Sequence, residues 1–472
     1  MEQTPSMFNL IVIGTGVAAS TVVWECHSAG WKTGVIDSRP FGGTCALRGC
    51  DPKKVLVGVA ELIDWGRRMQ DKGVSGNVSS NLRIDWAKLM QFKRTFTEPV
   101  PKNREDSFNK AGIATFHGNA RFIGPNTIRI TNEENNSERT IESENILIAT
   151  GSKPVKLNIT GEENVVTSDE FLDLNELPDN IVFIGGGYIS FEFAHLAARA
   201  GSKVTILHRG KVPLAGFDPD LVEILLKRTH EVGINVELEA SVKKVDVKDN
   251  GRKFAVHLST SENNVRDKKE DKIVETGLVV HGAGRVPNTE DLDLESGGVQ
   301  SDPKGGVKVN QYLQSVSNPS IYAAGDAAAT QGIPLTPIAA YEGHAVAQNL
   351  LNGKHQQPNY NGIPSVVFTI PPLASVGLQE HMAKQLGLQF RTNFQETSSW
   401  YSSRKIGENC SGYKVLIEKN TNRILGAHLL GTHAEEVINI FALAVRLGLE
   451  AEVVKQGIYT YPTNSYDIRY ML

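Results

Sequence analysis

An α/β fold with two dinucleotide-binding units and a separate C-terminal α+β domain is predicted by three features of this 472-residue chain. A short apolar strand ending in a glycine-rich turn occurs near the N-terminus, the same grammar returns in the middle, and the pattern changes after about residue 350. The first unit opens with Asn9-Leu-Ile-Val-Ile-Gly14, a continuous apolar run that reads as a buried parallel strand, with a helix expected after it. The second opens with Asn180-Ile-Val-Phe-Ile-Gly185, followed by a helical run from Tyr188 to Ala200 and a strand from Lys203 to Leu207. Polar stretches at Asn132 to Arg139 and Ser261 to Lys272 read as solvated hairpin loops, one in each half. Beyond residue 350, strands such as Ser365 to Phe368 and Tyr413 to Ile417 lead to a helix over Glu435 to Leu447.

The bulk properties agree with about three domains at roughly 150 residues each. Apolar residues at 40% and charged residues at 22% are ordinary globular usage. A net charge of -4 offers no basic field for nucleic acid or anionic lipid, so neither partner is expected. The N-terminus carries no basic flank or cleavage site, and no apolar run approaches the ~20 residues of a spanning helix, which makes the cytoplasm the expected location. Four cysteines are too few for a disulfide scaffold; in a reducing compartment a close pair points to metal or redox chemistry.

Gly14-Thr-Gly16-Val-Ala-Ala19 is a G-x-G-x-x-A turn, in which missing side chains let the backbone approach a pyrophosphate at a helix N-terminus. Asp37 closes the next strand, Thr33-Gly-Val-Ile-Asp37, where a carboxylate can accept hydrogen bonds from a ribose. We read this as the ADP end of FAD in a Rossmann-like domain. Gly185-Gly-Gly187-Tyr-Ile-Ser190 repeats the device and implies a second dinucleotide. At the end of its following strand stand His208 and Arg209, with Lys211 close behind, in place of a carboxylate. Positive charge there suits a 2'-phosphate and favours NADPH over NADH, although basic residues at a strand end are also common on surfaces.

The most specific stretch is Gly42-Gly-Thr-Cys45-Ala-Leu-Arg-Gly-Cys50-Asp-Pro-Lys53-Lys54, followed by an amphipathic helix marked by Val55, Val59, Leu62 and Ile63. Residues five apart in a regular helix are too distant for a disulfide, so bridging needs a distorted turn, which Gly49 permits. A thiol at a helix N-terminus beside lysines is expected to form a stable thiolate, and Cys50 fits. A half zinc site is the alternative, but no second Cys or His pair has ligand spacing, so no resident metal is expected.

With these motifs in place, the chain resembles the FAD-dependent pyridine nucleotide-disulfide oxidoreductases, the group of glutathione reductase, dihydrolipoamide dehydrogenase and mercuric reductase. Matching segments are Ile148-Ala-Thr150-Gly151, Gly284-Arg285-Val-Pro287-Asn288, Tyr322-Ala-Ala-Gly325-Asp326, Leu335-Thr-Pro337, Glu342-Gly343 and Pro364-Ser-Val-Val-Phe368-Thr. The resemblance implies that Cys45 attacks the acceptor and that Cys50 faces the flavin in a charge-transfer complex. It pairs Lys53, near flavin N5, with Glu192, and Glu192 between Phe191 and Phe193 is a carboxylate in need of a cation. It makes Tyr188 the cover of the flavin until nicotinamide arrives and gives Asp326 the ribityl and pyrophosphate region. It further implies that Gly43, Thr44, Lys54, Thr150, Gly151, Gly325, Ile189, Gly284 and Arg285 contact the cofactors. The implied domains are an FAD domain of residues 1–155 and 285–350, an NAD(P) domain of 156–284, and a dimerisation domain of 351–472 in a homodimer.

The C-terminus departs from this pattern. Where the common members carry His-Pro-Thr-x-x-Glu, this chain reads Tyr461-Pro462-Thr463-Asn464-Ser465-Tyr466-Asp467. Histidine gives and takes protons near neutrality, whereas a phenol of pKa about 10 donates but is a poor base. Asp467 is read as a surface carboxylate without a catalytic role. Tyrosine at position 461 leans toward mercuric reductase, yet the chain lacks that enzyme's C-terminal cysteine pair; Cys26 and Cys410 are solitary and expected to be buried and unreactive. The expected function is an NAD(P)H oxidoreductase acting through Cys45 and Cys50 on a disulfide or related thiol-reactive acceptor. A metal or quinone reductase, and a flavoprotein redox sensor with little turnover, are the alternatives.

Overall fold

The computed structural model describes residues 7–76, 82–133, 136–260 and 272–472. The chain divides into two compact units, one of residues up to Lys53 with Phe92–Val155 and Arg285–Tyr360, the other of Lys54–Gln91, Lys156–Gly284 and Asn361–Leu472. Among the described residues no helix is long and apolar enough to cross a membrane.

The first unit is built on a parallel sheet in the order Ala114–His117, Thr33–Asp37, Phe8–Ile13, Ser137–Ile148, with Ile321–Ala323 beside the last. Leu10, Ile11 and Val12 are fully buried, as an unbroken apolar run demands when both sheet faces are covered. Of the polar stretch at Asn132 to Arg139, residues 134–135 lie outside the described residues, and its flanks belong to the antiparallel strands Thr127–Asn132 and Ser137–Ile148. Helix Val17–Ser28 packs against helix Thr336–Asn352 so closely that a Cβ at Gly343 would stand 2.9 Å from the Ala18 carbonyl oxygen.

In the second unit a parallel sheet runs Ile234–Glu237, Lys203–Leu207, Asn180–Ile184, Leu278–His281. The antiparallel strands Ala240–Lys248, Lys253–Thr260 and Lys272–Thr276 follow one another beside it in sequence. The loop expected at Ser261 to Lys272 lies, apart from Lys272, outside the described residues. The C-terminal portion is a five-stranded antiparallel sheet, Ser365–Val367, Leu373–Gly377, Ile424–Leu430, Gly412–Glu418, Phe390–Glu396, with helix Ala434–Leu447 on it. Val437, Ile438 and Phe441 form the buried stripe of that helix.

Helix Cys50–Arg68 starts in the first unit and continues in the second. Its apolar face differs from the expected one: Leu56, Ala60 and Ile63 are buried, at the helical spacing of one face, and Leu62 turns outward at 61% exposure. Asp64 completes the buried face because three guanidiniums meet it. Its Oδ1 accepts from Arg199 (2.6 and 3.1 Å) and Arg228 (3.1 Å), and its Oδ2 from Arg68 (2.9 Å). Arg68 also pairs with Glu408 at 3.3 Å, and Arg199 donates to the Ile370 carbonyl at 2.9 Å. These bonds tie the Cys50 helix, the Tyr188–Ala200 and Pro219–Glu231 helices and the C-terminal portion into one unit.

Burial alone would raise the Asp64 carboxyl, but Arg199, Arg228 and Arg68 outweigh it and hold it below the usual carboxylate range. Asp64→Ala leaves the guanidiniums uncompensated and is expected to cost about 3–5 kcal/mol at neutral pH, read from urea unfolding. Because the folded carboxyl titrates below its unfolded value of about 3.9, this contribution is complete above that pH and is lost as the pH falls through the folded value. Equal unfolding midpoints for variant and parent at neutral pH would remove the cluster from the stability of the fold.

Candidate active site

The first glycine turn leaves the sheet at Gly14, whose φ of 113° is open to glycine and whose missing Cβ would meet the Ala149 carbonyl oxygen at 2.3 Å. Gly16 precedes helix Val17–Ser28, and its Cα faces Gly43: a Cβ on Gly43 would stand 2.5 Å from it. Asp37 ends its strand as expected, with Oδ2 accepting from Thr15 Oγ1 (2.5 Å) and Oδ1 from the Arg39 N–H (3.0 Å). Thr150 Oγ1 is buried with no partner among the described residues. A glycine-walled cradle at a helix start, a carboxylate at the strand end and an unsatisfied hydroxyl fit a dinucleotide such as FAD laid across the turn.

Cys45 and Cys50 come together because the helix breaks between them. Helix Gly43–Arg48 ends at Gly49 (φ -141°, ψ -116°), and the chain re-enters a helix at Cys50. A Cβ at Gly49 would lie 2.9 Å from the Thr44 carbonyl oxygen, so the break needs glycine there. The thiol of Cys45 is raised well above its ordinary value, first by its hydrogen bond with Cys50 and then by burial. The two sulfurs are thus within hydrogen-bond reach of each other. Cys50 Sγ also lies 3.6 Å from Thr336 Oγ1, and Cys45 Sγ lies 3.8 Å from Asp51 Oδ1. Thr336 opens a 17-residue helix with Pro337 behind it; the Leu335-Thr-Pro337 motif marks that start, but the sequence does not reveal that it meets Cys50. Lys53, half-buried, sits one turn beyond Gly49, its N–H bonded to the Gly49 carbonyl.

Asp326 lies in the short turn Gly325–Ala327 and accepts from Ser152 Oγ at 2.7 Å. Arg285 donates to the same serine, to Oγ at 3.0 Å and to the carbonyl at 2.6 Å, so it braces the Asp326 turn. Gly151 is bonded through its carbonyl to the Asn288 N–H. The fully buried Glu342 holds the turn from the other side, accepting from the Gly325 N–H (2.7 Å), Thr330 Oγ1 (2.8 Å) and Tyr360 Oη (2.7 Å). Burial raises its carboxyl pKa against those three donors.

In the second unit Gly185 repeats the role of Gly14, its missing Cβ pointing at the Gly282 carbonyl oxygen at 2.3 Å. Gly187 caps helix Tyr188–Ala200. Tyr188 is half exposed, Ile189 is partly buried, and Ser190 Oγ is buried without a partner among the described residues. Glu192 is buried and accepts from the Phe368 N–H at 2.8 Å. Lys54 lies over the Phe368 ring at 4.4 Å and near Glu61 at 3.4 Å. His208, Arg209 and Lys211 follow strand Lys203–Leu207 as expected, and Gly284 closes the unit with φ 114°. Cys26 and Cys410 are buried; burial pushes the Cys26 thiol up to about 12 and raises that of Cys410.

Tyr461 stands on a cleft of about 400 Å³ lined by Trp400, Tyr401, Lys405, Tyr466, Asp467 and Tyr470 among others. The Tyr461 and Tyr466 rings meet edge to face at 4.9 Å, and Tyr461 is 69% exposed. Asp467, expected on the open surface, is instead half-buried in this cleft, where desolvation raises its pKa against Ser402 and Lys405. The helical turn Ile468–Met471, with Ile468 buried in the core, draws it inward. Among the described residues no group of three or more His, Cys, Asp or Glu side chains could hold a metal ion.

Residues 8–343 match the family model for pyridine nucleotide-disulphide oxidoreductases and residues 363–471 its dimerisation domain. Glutathione reductase of Burkholderia cepacia is 32% identical over 442 residues, 93% of this chain and 92% of that protein. Mercuric reductase of Staphylococcus aureus is 31% identical over 459 residues, 97% of this chain and 80% of that protein. Among solved structures, the Cu(II) complex of the HOCl-induced flavoprotein disulfide reductase RclA from Escherichia coli superposes with a TM-score of 0.86 at 27% identity, covering 99% of both chains. The matches span nearly the whole length, and the chain belongs to the pyridine nucleotide-disulphide oxidoreductase family.

Proposed function

We propose that this chain oxidises NADPH, with NADH the poorer donor, and passes the electrons by way of FAD to Cys45 and Cys50, which reduce a disulfide or related thiol-reactive acceptor. The observation that carries this reading is the contact of the two cysteines across the Gly49 break. FAD, when bound, supplies the step between a hydride donor and a dithiol. The chain's own residues then divide the work. Gly14, Gly16 and Gly43 admit the pyrophosphate, the Thr150 hydroxyl offers a donor and the Asp326 carboxylate an acceptor, and Asp37 takes the ribose. Cys50, at the start of its helix and beside Thr336, is the sulfur that holds negative charge, while Cys45 attacks the acceptor and its proton goes to the expelled thiolate. Lys53 and Glu192 tune the flavin edge, and Tyr188 screens it. The dimerisation domain supports a homodimer. On this reading Tyr461 enters the partner's acceptor pocket.

The cleft at Tyr461 bears on the acceptor. Its walls are aromatic, and its charged residues are one lysine and one carboxylate, a poor match for an anionic peptide disulfide such as glutathione disulfide. A phenol donates but accepts protons poorly at neutral pH, so acceptors with low-pKa leaving thiols, metal dithiolates and quinones depend least on the missing histidine. The reading as a metal-ion reductase is favoured by tyrosine at position 461 and by similarity to mercuric reductase and to a flavoprotein solved with Cu(II); the ion would be substrate, met by the two cysteine sulfurs. A sensor without steady turnover is the remaining reading.

Cys45→Ser, which cannot form the disulfide, is expected to show a long-wavelength absorption band from the Cys50 thiolate against oxidised FAD without added reductant and to abolish steady NADPH oxidation with every acceptor; a band lost with Cys45 rather than Cys50 would reverse the assignment, and parent protein that stops after one reducing equivalent would favour the sensor. If the phenol donates the proton, Tyr461→Phe lowers kcat on the best acceptor by about 10²-fold or more, and unchanged turnover removes it from the mechanism. In an acceptor screen, glutathione disulfide is expected to be turned over far more slowly than the best metal dithiolate or quinone; an ordinary rate with glutathione disulfide would overturn the argument from the cleft.

A further inference from the structure

The two glycine turns of this chain repeat position for position. Gly14, Gly16 and Asp37 correspond to Gly185, Gly187 and His208, each 171 residues further on. The strand pairing repeats as well, Ile13 opposite Ile36 in one sheet and Ile184 opposite Leu207 in the other. His208 therefore occupies in the second unit the place that the ribose-binding carboxylate occupies in the first.

Its surroundings have changed in step. Asp37 is held by Thr15 and by the Arg39 N–H. The counterparts of those two residues are Gly186 and Gly210, and the imidazole fills the space that their side chains would need: a Cβ on Gly186 would lie 2.6 Å from His208 Cγ, and one on Gly210 would lie 2.7 Å from Nε2. Nε2 lies 3.1 Å from the Val212 carbonyl oxygen. A carbonyl only accepts, so Nε2 carries the proton, and in the neutral ring Nδ1 keeps a lone pair, with no partner among the described residues.

We propose that His208 is the coenzyme-selecting residue of the second unit, and that its protonation sets the choice between coenzymes. The neutral ring accepts a hydrogen bond from the adenosine ribose 2'-hydroxyl at Nδ1, as a carboxylate does in NADH sites. The protonated ring donates from Nδ1 to a 2'-phosphate. The inference rests on the NADPH reading above, in which Arg209 and Lys211 supply standing positive charge. The charged groups around the ring are few. Arg209 and Lys211 lie on its own loop. On the neighbouring strand, Glu237 is engaged by Lys272 (2.7 Å) and Asn235 (2.9 Å), while Glu239 donates its N–H to the Gly210 carbonyl. The glycine turn contributes no charged residue, Tyr188 being its nearest titratable one. Burial, and then Arg209, lower the imidazole pKa against the bond to Val212, so the free site is neutral at physiological pH.

A lone pair facing a phosphate oxygen is repulsive, so binding a 2'-phosphate draws one proton onto His208, whereas binding a ribose hydroxyl draws none. Preference for the phosphorylated coenzyme then grows by up to about tenfold for each unit that the pH falls between the bound and the free pKa of the ring. The second ionisation of the phosphate itself, near pH 6, acts in the opposite direction.

The test is isothermal titration calorimetry of FAD-loaded protein with adenosine 2',5'-bisphosphate and with 5'-AMP, in two buffers of different ionisation heat, between about pH 6.5 and 8.5. The parent protein is expected to take up close to one proton with the bisphosphate and none beyond it with AMP. His208→Gln is expected to lose that uptake, and His208→Lys to bind the bisphosphate with no proton exchange. Tighter binding of the bisphosphate than of AMP with no proton uptake, or an uptake that survives in His208→Gln, overturns the role of His208 and leaves the NADPH reading standing. Indifference to the 2'-phosphate at every pH overturns both.

Discussion

The chemistry proposed for this chain depends on one local constraint, the interruption of a helix by Gly49. Had the helix from Gly43 run on unbroken, Cys45 and Cys50 would lie more than a turn apart on different faces, too far for a disulfide. The break returns Cys50 to the first position of a new helix and brings it against Cys45. The two sulfurs are then unequal without help from a distant base. One lies in the preceding short helix; the other sits at a helix N-terminus, which favours negative charge, close to the Thr336 hydroxyl. The proposed division between an attacking and an electron-receiving sulfur rests on this backbone geometry.

Much of this was legible because it is local. Strand Thr33–Asp37, helix Tyr188–Ala200 and strand Lys203–Leu207 have the bounds that their apolar runs and glycine punctuation imply. The distortion at Gly49 follows from cysteine spacing and helix geometry alone. What depends on distant parts of the chain was not legible. Thr336 is 286 residues from Cys50, and nothing in its neighbourhood points to a sulfur. Glu342 belongs to a recognisable motif, but its grip on the Gly325 N–H emerges only when helix Thr336–Asn352 packs against its neighbour. Asp64 reads as one more polar position on an amphipathic helix until Arg68, Arg199 and Arg228 converge on it. The same blindness put Leu62 on the buried face, because periodicity cannot say which of two neighbouring stripes meets the core, and left Asp467 on the surface, because Trp400, Ser402 and Lys405 of its cleft are distant in sequence.

The ion cluster around Asp64 and the chemistry at Cys50 share a helix. Such a buried cluster is weak as a source of net stability, since desolvating its members offsets most of the attraction. Its value lies in specificity: the carboxylate accepts from three arginines only when the Cys50, Tyr188 and Pro219 helices take one arrangement. An apolar contact of equal area would tolerate sliding, whereas a charge network with directed bonds does not. The far end of the helix that begins with Cys50 is thereby held by groups that take no part in electron transfer.

The duplicated glycine turns show how one fold supports two different cofactor sites. Both provide the same backbone approach and the same helix start, so neither distinguishes one dinucleotide from another. Distinction is left to the residue at the end of the second strand and to the side chains around it. In the first unit, Thr15 crowds the turn and holds a carboxylate by a hydrogen bond. In the second, glycine replaces both neighbours, and the space admits a ring that can be donor or acceptor. The substitution of Asp by His cannot be understood alone, because the imidazole would collide with a side chain at either glycine. Selectivity at this position is therefore a property of three residues changed together, and a single exchange of His208 for a carboxylate would leave two vacant glycines rather than restore the geometry of the first site.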